Sequence, residues 1–202
     1  MTDLQIVGGW LLLVVPLMVV EATAYVPAGF DSAFWALPLA EKLPRIAAEE
    51  HRWLRMARVW IVIPVVVAAG LLAGSVVALG VDVWVWLGTG IALVCAAVAV
   101  LMFATQGAAA IAAARRGTAP DWLEATWGVL SDVERTYVVG TSVASVLIGI
   151  GLTDGAVLGT WVAWSMIAAP GLVAASALIT GSFFPHMALL GPLILAVGMM
   201  LS

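Results

Sequence analysis

Glu49-Glu50-His51-Arg52-Trp53-Leu54-Arg55-Met56-Ala57-Arg58-Val59-Trp60-Ile61-Val62-Ile63-Pro64-Val65-Val66-Val67 is the stretch whose reading decides the fold. It passes within a few residues from dense charge to uninterrupted apolar sequence, and no charged side chain recurs between Arg58 and Asp82. About 20 apolar residues suffice to cross the hydrocarbon of a bilayer as a helix. The stretch therefore predicts a helix that enters a membrane from a basic side. All eight Lys and Arg residues fall in two such islands: Lys42, Arg45, Arg52, Arg55 and Arg58 in one, Arg115, Arg116 and Arg135 in the other.

Around these islands run six segments of spanning length, residues 4–26, 59–79, 85–107, 134–152, 157–180 and 185–202. Alternating crossings put both islands on one side, and the excess of Lys and Arg on cytoplasmic loops then places both termini on the outer face. The expected fold is an all-α polytopic membrane bundle, one domain over residues 1–202, with a bacterial inner (cytoplasmic) membrane as its expected location. Composition agrees, with 64% of the 202 residues hydrophobic, 10% charged and a mean hydropathy of +1.14. A soluble domain averages about 25% charged residues. The lipid bilayer is thus the main partner, other membrane subunits or a second copy are possible neighbours, and nucleic acid is excluded because acids interleave the basic islands. A single cysteine, Cys95, rules out an intrachain disulfide and a paired-cysteine metal motif. The first apolar stretch has no basic flank before it and holds Glu21, so it is expected to be a retained helix.

Between the crossings two amphipathic helices are expected in the interface. In the first, Glu41 and Arg45, Arg45 and Glu49, and His51 and Arg55 stand four apart, while Ile46, Trp53, Ala57 and Trp60 form an apolar stripe. The second begins at Pro120 and Asp121 and carries Trp122, Leu123, Thr126, Trp127 and Leu130. Ser131 and Glu134 have capping-box spacing, which predicts a separate helix start near Asp132. Tryptophans sort into two belts: Trp10, Trp84, Trp86, Trp161 and Trp164 near outer ends, and Trp35, Trp53, Trp60, Trp122 and Trp127 near inner ends. The order of interfacial helix, span, acidic turn and span occurs twice, over residues 44–106 and 120–180, an architectural repeat without residue identity.

Glu21 is the first candidate for function, because an ionisable group within a span is costly. It lies near the inner end of its helix, within reach of Arg58 or Arg55, so an ion pair is the competing role. Thr141, Ser142 and Ser145 give the fourth span a hydroxyl face that either packs helices or lines a polar path. Pro16, Pro64, Pro170 and Pro192 interrupt four spans and predict kinks. His51 and His186 are the only histidines and both belong to the inner side. No nucleophile with a base and no phosphate-binding loop occurs, which disfavours an enzyme.

The run Ala48 to Trp60 followed by Ile61 to Gly74, with a second basic end at Arg115 and Arg116 and a re-entry at Glu134-Arg135-Thr136-Tyr137, resembles CopD-like and HemJ-like membrane proteins in outline over residues 5–152. That resemblance implies copper or haem handling; apart from it, His51 and His186 are the candidate ligands of a haem or copper site, which would need the two to converge. Those families carry a histidine in the first span, where this chain has Glu21. Together these readings predict a small transporter-like or channel-like bundle for an ion or small solute, with Glu21, Arg58, Thr141 and Ser145 along its path. An accessory or scaffold subunit is the alternative, and a haem or copper protein the second alternative.

Overall fold

A computed structural model describes residues 2–26, 34, 37–77, 82–153, 158–181 and 185–202. Every regular element among them is helical: α1 (Asp3–Ala24), α2 (Leu39–Ala48), α3 (Glu50–Val77), α4 (Val83–Ala104), a π-helical turn (Thr105–Ala109), α5 (Ala110–Arg116), α6 (Asp121–Gly151), α7 (Thr160–Thr180), a 3-10 turn (Pro185–Leu189) and α8 (Leu190–Leu201). Five helical segments are long and apolar enough to cross a membrane, and a shorter apolar helix, His186–Leu201, follows them. Thr2 caps α1, its hydroxyl accepting from the Gln5 backbone N–H while the Gln5 side chain returns to the Thr2 N–H.

The long helices close a ring in chain order: α1 on α3, α3 on α4, α4 on α6, α6 on α7, α7 on α8 and α8 on α1. α8 also touches α3 and α6, so it closes the wall between α7 and α1 while one of its faces reaches the interior. Its Leu195, Ala196 and Met199 are fully buried, in one apolar core with Leu12, Leu71, Ile148, Val162 and Met166. The Gln5 Nε2 donates to Ser202 Oγ at 2.9 Å, which sets both chain ends on one face. Opposite lies the outward surface, where Leu17, Val20, Val94, Leu101, Leu172, Leu178 and Ile179 stand exposed, an apolar girdle suited to hydrocarbon.

Lipid tails are as apolar as leucine, so helices attract each other in a membrane through close contact and hydrogen bonds. Gly88 shows the first: a Cβ there would lie 2.6 Å from the Ala144 carbonyl oxygen, so only glycine lets α4 approach the α6 backbone. Ser75 and Thr89 show the second. Their hydroxyl oxygens lie 2.5 Å apart between α3 and α4, and each is 2.8 Å from a carbonyl one turn earlier, Leu71 and Val85. Two hydrogens cannot fill three contacts at once, so one hydroxyl donates across to the other helix while the other keeps its own backbone carbonyl.

One end of the bundle extends into a helical cap. The 34 residues Val83–Arg116, unbroken through the π-helical turn, rise about 51 Å at 1.5 Å per residue, well beyond the ~30 Å of hydrocarbon. The 28 residues of α3 and 31 of α6 also overreach it. Leu39, Leu43 and Ile46 of α2 pack on their projecting ends, burying Trp53, Met56, Ile111 and Leu123 in a second core.

One expectation is corrected. α6 runs unbroken from Asp121, so the second amphipathic segment and the fourth apolar segment are one helix; no proline lies between, and Ser131 and Glu134 have capping-box spacing without a chain break. The chain instead bends at Glu49 (φ -118, ψ 30), between α2 and α3. Among the described residues Arg52 meets Glu49 at 3.9 Å, and Arg115 reaches across to Glu50. Pro16, Pro64 and Pro170 lie within continuous helices, and Pro192 lies in the first turn of α8. Trp10, Trp84, Trp86, Trp122, Trp161 and Trp164 are exposed, whereas Trp53 is buried in the cap; Trp35 lies outside the described residues.

Candidate functional site

α6 carries the most polar buried surface of the bundle. Tyr137, Thr141 and Ser145 follow at four-residue steps on one side of the helix, with Ser142 beside them, and all four are buried. Glu134, half-buried, stands one turn before Tyr137 and Val138 and starts the row at the capped end. Ser145 Oγ donates to the Thr141 carbonyl at 2.9 Å. Its neighbour is Gly191 of α8, where a Cβ would come within 2.2 Å of that hydroxyl. Beyond this point Gly149 lies against the Ala163 backbone, and the row is closed by tight packing.

Tyr137 Oη, Thr141 Oγ1 and Ser142 Oγ are all buried; the Tyr137 and Thr141 hydroxyls lie within hydrogen-bonding reach of each other, and Ser142 Oγ has no protein partner among the described residues. An unmade hydroxyl bond costs roughly 1–3 kcal/mol on protein mutational scales. Ser and Thr in apolar helices ordinarily escape the cost by bonding the carbonyl four residues back, as Ser145, Ser75 and Thr89 do here. Tyr137, Thr141 and Ser142 therefore form a buried hydroxyl patch on one face of α6 that does not follow this pattern. The 3-10 turn Pro185–Leu189 packs on α6, with Ala188 in one apolar cluster with Tyr137 and Val138.

The other predicted site residues lie elsewhere. Glu21 pairs with Arg55 at 3.7 Å, both side chains about half exposed (48% and 50%), and the Arg55 guanidinium sits 4.1 Å from the Tyr25 ring centroid. Arg58 is exposed and has no ion pair among the described residues. α1 and α6 stand opposite in the ring order, so Glu21 and Arg58 are not brought to Thr141 and Ser145. His51 is exposed in the first turn of α3, His186 exposed in the 3-10 turn. No group of three or more His, Cys, Asp or Glu that could hold a metal occurs among the described residues. Glu21 is paired with Arg55, and the two histidines lie on exposed ends of separate elements.

Two features were missed in the sequence. Tyr137 extends the hydroxyl row by one turn, and its spacing four before Thr141 was the available signal. Lys42 is buried in the cap, its Nζ 5.9 Å from the Phe34 ring centroid and 5.5 Å from that of Trp127, which stacks on Trp53. Burial pushes the lysine below its ordinary value of 10.5, and nothing local to Leu39–Ala48 announces those aromatic partners. No family model, curated protein or solved structure matches this chain.

Proposed function

We propose that this protein is an integral-membrane bundle of six crossings, termini outside and cap in the cytoplasm, that passes a small polar solute or ion along the inner face of α6. The sixth crossing follows from length: five 3-10 residues at about 2 Å and twelve α-helical residues at 1.5 Å give about 28 Å, close to the ~30 Å of hydrocarbon. The cap carries all the basic residues, which orients it inward.

The observation that carries the functional reading is the row of buried hydroxyls at Tyr137, Thr141 and Ser142 on one face of α6. They offer donors and acceptors without full charge, which suits an uncharged polar solute or a relayed proton better than a hydrated metal ion. Glu134 stands at the inner mouth of the row. α8 closes the outer half at Gly191, Leu195 and Met199, so passage requires movement of α8 against α6. The likeness to CopD-like and HemJ-like proteins is then one of helix arrangement, without their metal chemistry.

Reconstituted vesicles test this. Stopped-flow light scattering with glycerol, urea and ammonia, and an entrapped pH dye for protons, should show permeability above empty liposomes. Thr141→Val, nearly isosteric, should reduce it by about tenfold, the factor of a hydrogen bond worth ~1.4 kcal/mol. Permeability equal to empty vesicles for every probe would refute the path. A stoichiometric membrane partner copurifying in that case would favour the accessory-subunit role.

A further inference from the structure

At the capped end α1 and α3 present two adjoining faces that run from apolar to charged at the same level. On α3, Arg58, Val62 and Val65 share one face, with Val62 44% and Val65 53% exposed. On α1, Leu17 (68%) and Val20 (64%) lead to Glu21. These two helices pack together, and Glu21 and Arg55 join them at that end. Arg58 lies three residues, about 4.5 Å, further along α3 toward the apolar zone than Arg55. Its side chain can return its charge to the headgroup layer only by extending along the helix surface.

The local charge does not balance. Glu21 is already paired with Arg55 at 3.7 Å, whose guanidinium also covers Tyr25, so the Glu21, Arg55 and Arg58 group holds two cations and one anion. Among the described residues no carboxylate meets Arg58. We infer that Arg58, flanked by the Glu21 and Arg55 pair, binds the phosphate of an anionic phospholipid whose acyl chains lie along Leu17, Val20, Val62 and Val65. A guanidinium offers a planar fork that matches phosphate oxygens in pairs. One headgroup of net charge −1 neutralises the group; a zwitterionic headgroup leaves it at +1. This site goes beyond the α6 path and depends only on the bundle lying in a membrane.

Native mass spectrometry of the purified protein, titrated with phosphatidylglycerol and with phosphatidylcholine of the same acyl chains, tests the assignment. Wild type should retain one phosphatidylglycerol about tenfold more tightly than phosphatidylcholine, the factor one charge-assisted hydrogen bond supplies. Arg58→Gln should abolish that preference and Arg58→Lys should keep part of it. Glu21→Gln removes the anion and frees Arg55, so it should preserve or strengthen retention. Equal retention of both lipids by wild type, an unchanged preference in Arg58→Gln, or loss in Glu21→Gln would each overturn the inference. Displacement of the lipid by millimolar inorganic phosphate would also overturn it, assigning the site to a soluble anion.

Discussion

Gly191→Ala places one methyl group where α8 meets α6. The new Cβ would stand 2.3 Å from Ser145 Cβ, 2.2 Å from Ser145 Oγ and 3.1 Å from Pro170 Cγ. Non-bonded carbons rest about 3.5–4.0 Å apart, so the first contact is short by at least ~1.2 Å. A rotamer change at Ser145 cannot relieve it, because the crowded Cβ is fixed by the backbone of α6. α8 must therefore retreat from the bundle interior, and overpacking of this kind costs about 1–3 kcal/mol. For a chain of this size that is a fall in midpoint of about 2–12 °C, at 2–4 °C per kcal/mol. Tryptophan fluorescence during heating in detergent measures it. Ser145→Gly alone costs roughly 1 kcal/mol of helix propensity, but in the double variant it should remove most of the clash and give a favourable coupling of at least about 1 kcal/mol. A Gly191→Ala midpoint equal to wild type, or a double variant that is simply additive, would refute the packing of α8 on α6 at Ser145.

The remaining predictions concern the wall, the charged end and the cap. Ser75→Ala should lower stability by about 0.6–1.7 kcal/mol, the range for hydrogen bonds between membrane helices, and should couple with Thr89→Val; thermal midpoints for the cycle that add without coupling would remove the α3–α4 tie. Glu21→Gln should change stability by no more than about 1 kcal/mol, because the pair with Arg55 is half exposed; denaturation showing a loss above ~2 kcal/mol would give Glu21 a larger structural role than its exposure allows. Lys42 has a lowered folded-state pKa, so between that value and 10.5 the unfolded chain binds more protons and stability rises with pH. Lys42→Met should remove that rise, and wild-type and variant midpoints that track each other through the alkaline range would contradict it.

Thr141 and Ser145 could be named as one face from the sequence because four-residue spacing is a property of the helix itself. The same logic identified Glu21 with an arginine at the start of the next helix, since consecutive antiparallel helices must place those ends together. It failed for the start of α6, where Ser131 and Glu134 satisfy a capping pattern that a continuous helix tolerates. It also failed for Lys42, whose aromatic neighbours come from residues 34 and 127. Local rules reach about a turn, and these contacts are made by chain distance folded away.

Sequence alone determined that apolar helices of spanning length alternate with two basic islands, because hydrocarbon thickness and the cost of burying charge act on composition before any helix packs. Only the tertiary structure decided that α8 closes the ring between α7 and α1, that the hydroxyls of Tyr137, Thr141 and Ser142 are buried together, and that Arg55 takes Glu21 and leaves Arg58 facing outward. Those outcomes depend on which helix faces meet, and glycine contacts such as Gly88 on Ala144 and Gly191 on Ser145 select that arrangement through shape, which hydropathy does not encode.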